Sequence, residues 1–178
     1  MNNKGTCLLE TKRLILRKFK IEDAFEVVNG YRNQEEFLYY ANKEKISLDE
    51  EKKILEQVIK SYKQKNYYNF AICLKESDTL IGAINLKVDD SNNSVIFSYA
   101  IDNRYTNNGY MSEALERIKN FCFNELDVKY FTGGCIASNI ASKRVMEKCK
   151  LKYKETLKNQ VKLIDGNHDL IMFCLEKE

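Results

Sequence analysis

Apolar positions along the chain keep two different periods, and the switches between them outline its elements. RLILRKF (residues 13 to 19) alternates as a strand does, and IEDAFEVVNGY (21 to 31) follows as a short helix. In SLDEEKKILEQVIKSYKQ (47 to 64), Ile54, Leu55, Val58, Ile59 and Tyr62 form one apolar stripe, and Ser47 with Glu50 three residues on makes a capping box. NFAICL (69 to 74), LIGAINLKV (80 to 88) and VIFSYAI (95 to 101) are apolar runs separated by KESDT and DDSNNS, which have turn composition. They predict a three-stranded antiparallel meander.

Beyond the meander, Met111, Ala114, Leu115, Ile118, Phe121 and Cys122 recur at helical spacing, so a helix is expected from about Gly109 to about Glu125. KYFTGGCI (129 to 136) predicts a strand, NIASKRVMEKC (139 to 149) a helix and DLIMFCL (169 to 175) a last strand. Strands and helices alternate around a central meander, which is the order of an α+β protein. No proline, repeat or low-complexity tract marks a linker, so residues 1 to 178 are expected to form a single domain.

Composition narrows the classes. With 44% hydrophobic and 31% charged residues the chain is neither disordered nor fibrous. Its net charge of +3 is spread along the chain, which leaves out the clustered basic face of a nucleic-acid binder but allows a small anionic ligand. The cysteines Cys7, Cys73, Cys122, Cys135, Cys149 and Cys174 are scattered without a CxxC pair, as expected of free thiols in a reducing cytoplasm. A single histidine, His168, gives no basis for a His-rich metal site, so no metal is expected. The N-terminus lacks an apolar signal region and no run of 18 apolar residues exists, so no membrane association is expected.

The segment RYTNNGYMSEAL (104 to 115) joins the third meander strand to the next helix. A helix start leaves about four backbone N–H groups without partners and carries about half a positive charge. Gly109, Asn107 and Asn108 tolerate left-handed backbone, so the turn can aim several of those N–H groups at one anion, with Arg104 at the rim. A plain strand-to-helix turn accounts for the same residues. The Gly-Lys-Ser/Thr ending of a Walker sequence and the further glycines of a dinucleotide fingerprint are both absent.

R-x-x-N-x-G at 104 to 109, followed by YMSEAL, resembles the R/Q-x-x-G-x-G/A signature of the GNAT superfamily of acetyl-CoA-dependent N-acetyltransferases. N-x-x-S-x-x-V-M-E-K at 139 to 148, ETKRLILRKF at 10 to 19 and LIGAINL at 80 to 86 are similar to segments of its RimJ/RimL-like branch, in the same order. The resemblance implies a central mixed, mostly antiparallel twisted sheet of about six to seven strands flanked by about four helices, splayed between the fourth and fifth strands. It implies acetyl-CoA as cosubstrate, with its diphosphate on the N–H groups of Asn107, Asn108, Gly109, Tyr110, Met111 and Ser112. It further implies main-chain pairing of the pantetheine arm with Tyr99, Ala100 and Ile101, and contacts from Asn139, Ser142, Lys143 and Arg144. An N-cap for Asn139, a plain surface hydroxyl for Ser142 and a solvated helix face for Lys143 and Arg144 are the structural alternatives.

The catalytic candidates are Ser142, which the resemblance would put near the thioester sulfur, with Tyr99 and Asp102; Glu113 and His168 are weaker choices for a base. Asn107 stands where the family has its first glycine, and Met146 where a tyrosine often serves as general acid. Ile96 stands where many relatives carry a glutamate, and Lys150-Leu151 replaces the usual Gly-Phe. A chain without a strong base favours an acceptor that is easily deprotonated. At pH 7 a lysine or polyamine nitrogen costs roughly 4.6 kcal/mol to deprotonate and an α-amine only about 1.1. A protein N-terminal α-amine is therefore the expected acceptor, with Glu35 and Glu36 on the acceptor side. A small amine (polyamine or aminoglycoside) and a non-catalytic coenzyme A-binding module are the alternatives, and the chain is expected to be a monomer or homodimer.

Overall fold

The computed structural model describes residues 4–64 and 66–178, and its strands pair into one sheet. In chain order the elements are β1 (Leu9–Glu10), β2 (Leu14–Arg17), α1 (Ala24–Val27), α2 (Glu35–Ala41), α3 (Leu48–Ser61), β3 (Tyr67–Leu74), β4 (Leu80–Asp89) and β5 (Ser94–Ile101). There follow α4 (Tyr110–Asn124), β6 (Tyr130–Ile136), α5 (Ile140–Lys148), β7 (Lys152–Leu163) and β8 (Gly166–Glu176). The sheet order is β1-β2-β3-β4-β5-β6-β8-β7, antiparallel throughout except between β5 and β6. Among the described residues the eight strands and five helices are an α+β arrangement, richer by two strands than the six runs legible in the sequence. β1 is two residues long, and β7 is an edge strand with most side chains in water.

Period-2 alternation sorts each meander strand between two apolar layers. Phe70 and Ile72 of β3 face one side with Ile84 and Leu86 of β4, where α4 lays Ala114, Leu115, Ile118, Phe121 and Cys122 and α5 adds Met146. Ala71 and Cys73 face the other side with Ala83, under Ala24, Val27, Tyr31 and Leu55. The helical segment expected at 21 to 31 is broken into a 3-10 turn, α1 and a π-turn, with non-helical backbone at Gly30. At that break Gly30 lies against the Asp102 carboxylate, where an added Cβ would stand 3.1 Å from Oδ2. The Ser47 capping box forms as expected: Ser47 accepts from the Glu50 N–H and Glu50 accepts from the Ser47 N–H at 2.7 Å.

The strand pair that was expected to splay is β5 and β6. They pair only at Ser94, Val95 and Ile96, opposite Tyr130, Phe131 and Thr132. Beyond Ile96, β5 keeps β4 from Phe97 to Ile101, while β6 turns to β8. Phe97 holds the fork. Its ring stacks on Phe131 at 4.6 Å, and an added Cβ at Gly133 of β6 would come within 2.2 Å of it.

Candidate functional site

The open edge of β5 leads into the turn before α4. Asn107 (φ 62°) and Gly109 (φ 78°) both have left-handed backbone, and Gly109 caps α4. The first helical bond runs from the Glu113 N–H to the Gly109 carbonyl at 3.0 Å. Among the described residues no acceptor is found for the N–H groups of Asn107, Asn108, Gly109, Tyr110, Met111 or Ser112. Six successive amides at a helix start are therefore available to an anion, where the macrodipole adds positive potential. These residues and this edge fit a ligand with a phosphate head and an amide-bearing arm.

Arg104, expected at the phosphate rim, is turned away from that duty. Its Nε donates to both oxygens of Asp102 at 3.1 and 2.9 Å, and its Nη2 also bonds Oδ2. Asp102, proposed as a base, is a buried anchor: it takes the Arg104 N–H at 2.9 Å and Gln34 Nε2 at 2.9 Å as well. Burial pushes its carboxyl up, but the bonds from Arg104 and Gln34 outweigh this and hold it below the usual carboxylate range. Gln34 also accepts from the Asn103 N–H at 2.9 Å, so the loop after β5 is tied to the start of α2. Glu36 accepts from Asn103 Nδ2 in the same tie, while Glu35 is exposed beside it.

Across the fork lies α5. Asn139 caps it, its side chain accepting from the Ser142 N–H at 3.0 Å, so the N-cap alternative is the geometry seen. Tyr99 reaches from β5 and donates its hydroxyl to the Ser142 carbonyl at 3.2 Å. Burial pushes that hydroxyl well above its ordinary range, against the lowering by Ser142, so Tyr99 holds its proton at neutral pH. The Ser142 hydroxyl is half-buried and has no hydrogen bond among the described residues. Tyr99 and Ser142 are thus brought together, with Ala100 and Ile101 on the open edge; Asp102 lies in the separate tie to α2. Lys143 stands 3.9 Å from Glu147 and lines, with Leu151, Tyr153, Ile171 and Phe173, a cleft of about 440 Å³. Arg144 is exposed. Met146, where a proton donor was sought, is buried in the core.

Two features had no signal in the sequence. Arg13 donates Nε to Glu113 Oε2 at 2.7 Å and Nη1 to the Asn108 carbonyl at 3.1 Å, with its guanidinium 4.4 Å over the Tyr110 ring. Glu113, weighed as a base, is occupied by Arg13 and by Thr11. The second feature joins α2 to the β7–β8 hairpin: Tyr39 donates to Asp165 Oδ2 at 2.9 Å, and His168 Nε2 lies 2.8 Å from Asp165 Oδ1. His168 is thereby placed at the hairpin, paired with Asp165.

The chain and its fold are similar to those of known proteins. The family model described as "Acetyltransferase (GNAT) domain" matches residues 13–152. An uncharacterized N-acetyltransferase YnaD of Bacillus subtilis (strain 168) is 29% identical over 140 residues, covering 79% of each chain. Among solved structures, a putative ribosomal-protein-serine acetyltransferase from Vibrio cholerae superposes with a TM-score of 0.83 at 21% identity, covering 99% of this chain and 100% of that one. RimL, a ribosomal L7/L12 alpha-N-protein acetyltransferase in complex with coenzyme A, does so with a TM-score of 0.80 at 15% identity, covering 96% of this chain and 98% of that one.

Proposed function

Because the chain belongs to the GNAT acetyltransferase family, we propose that it carries acetyl from acetyl-CoA to the N-terminal α-amine of a protein or peptide. The family makes it an acetyl-CoA-dependent acetyltransferase; the acceptor is our inference. The observation that carries it is the run of acceptor-free amides from Asn107 to Ser112 at the end of the open β5 edge, with no carboxylate on β5 or β6.

In this reading the amides of Asn107 to Ser112 hold the diphosphate of coenzyme A, and the main chain of Tyr99, Ala100 and Ile101 pairs with its arm. Acetyl-CoA supplies an activated thioester. Ser142 donates its free hydroxyl toward the sulfur, and Tyr99 fixes α5 against β5 by its bond to the Ser142 carbonyl. A thiolate with a pKa of about 8.5 needs about 2 kcal/mol of help at pH 7, the scale of one hydroxyl donor. Asn139 orients Ser142 through its N–H; we assign no proton transfer to Asp102, Glu113 or His168. Glu35 and Glu36 present negative charge to an incoming amine, and the amine must arrive neutral on its own. The six free cysteines suit a reducing compartment, the cytoplasm.

Thiol release from acetyl-CoA, followed over a panel of peptides with free or blocked N-termini, lysine side chains and polyamines, tests this. Acetylation of free N-termini with a rate that levels above about pH 8 is the expected result. Turnover confined to polyamines or lysine, still climbing above pH 9, would overturn the choice of acceptor.

A further inference from the structure

We propose that Arg13 is a positioning residue for the cosubstrate: by holding the Asn108 carbonyl it fixes the peptide between Asn108 and Gly109, so that the Gly109 N–H faces the diphosphate. This rests on the coenzyme A reading given above. The guanidinium is itself immobilised, with Nε on Glu113 Oε2 at 2.7 Å and the Tyr110 ring 4.4 Å beneath. Glu113 is held in turn, since its Oε1 accepts from the Thr11 hydroxyl at 2.6 Å and from the Arg13 N–H at 2.9 Å. The remaining arm, Nη1, takes the Asn108 carbonyl at 3.1 Å, and Nη2 lies 3.6 Å from where a Cβ on Gly109 would stand.

Peptide geometry converts that bond into a direction. Among the described residues no peptide bond is cis, and in a trans peptide the carbonyl and the next N–H point opposite ways. A carbonyl pinned to Arg13 therefore sends the Gly109 N–H to the far side, away from the guanidinium. The need for a pin follows from the residue: glycine populates positive and negative φ about equally, so the peptide before Gly109 has little of its own to hold it. Glu113 neutralises Arg13, which leaves orientation rather than charge as its contribution. Lysine, a point charge on a flexible stem, cannot span Glu113 and Asn108 together as the planar fork does.

The test compares acetyl-CoA with S-acetyl-pantetheine, which lacks every phosphate, in wild type, Arg13→Lys and Arg13→Ala. For both variants kcat/KM with acetyl-CoA should fall about tenfold, through KM and not kcat, the scale of one charge-assisted hydrogen bond. With S-acetyl-pantetheine it should be unchanged. Equal losses with the two cosubstrates would mean a general structural role, and no loss in Arg13→Lys would mean that charge alone suffices; either overturns the inference. Should Arg13→Ala not fold, Arg13→Lys decides. A wild-type protein that shows no calorimetric binding of coenzyme A would instead overturn the reading beneath.

Discussion

Replacing Asp102 by Asn separates an anchor from a base. The change keeps the shape but turns one acceptor oxygen into an NH2 group facing the donors of Arg104 and Gln34. In the native protein that carboxylate takes the Arg104 N–H, the Arg104 side chain and Gln34 Nε2, with its own side chain 1% exposed. Removing one partner of a fully buried pair costs about 3 to 5 kcal/mol, but Arg104 is 67% exposed and can turn to water. The loss should then approach that of one charge-assisted bond, about 2 kcal/mol, which lowers Tm by roughly 4 to 8 °C in a chain of this size. The carboxyl is held below its unfolded value, so its stabilisation is present above a pH of about 3.9 and is lost as pH falls through the folded value. Calorimetric scans at pH 7 and in acid should accordingly show the gap between wild type and variant closing in acid. The pH profile of kcat should keep its shape, with KM for acetyl-CoA raised as the loop loosens. An unchanged Tm together with a kcat reduced a hundredfold or more and a lost acidic limb would refute this and restore Asp102 as the base.

Gly133→Ala should lower stability by about 1 to 3 kcal/mol in urea unfolding, because its Cβ would meet the Phe97 ring at 2.2 Å; adding Phe97→Leu should recover much of it, and simple additivity would contradict the clash. Burial pushes the Cys149 thiol up to about 11 and the Cys73 thiol up to about 12. Iodoacetamide at pH 8, followed by peptide mass spectrometry, should therefore leave both intact until urea unfolds the chain, since about one Cys149 thiol in a thousand is ionised. Glu51→Gln should destabilise strongly, by about 3 kcal/mol, because the side chain is fully buried against Arg32 Nε at 2.8 Å; a melting temperature within 1 °C of wild type, roughly the scatter of a few tenths of a kcal/mol, would contradict that.

The meander was legible because β3 and β4 are buried on both faces and so read as short continuous apolar runs, and the helix α4 because it turns one apolar stripe to the sheet at a period of 3.6. β7 was not. KYKETLKNQVKL lies at the sheet edge with both faces largely in water, so no burial pattern marks it, and lysines guard its free edge instead. The cradle could be read from Asn107, Asn108 and Gly109, where the backbone needs special residues. The tie of Asp102 to the start of α2 could not, because its partner there, Gln34, lies 68 residues upstream. Arg13 and Glu113 are 100 residues apart and joined only by the sheet packing against α4. Short-range pattern fixes backbone chemistry; the side-chain partners of a charged group depend on topology.

Whether open amides at the start of α4 grip a diphosphate is tested most directly by following backbone amide NMR signals while coenzyme A is added. The signals of Gly109, Tyr110, Met111 and Ser112 should move farthest, and adenosine 3′,5′-diphosphate, which lacks the bridging diphosphate, should move them much less. Coenzyme A that binds while those four signals stay in place would contradict the account.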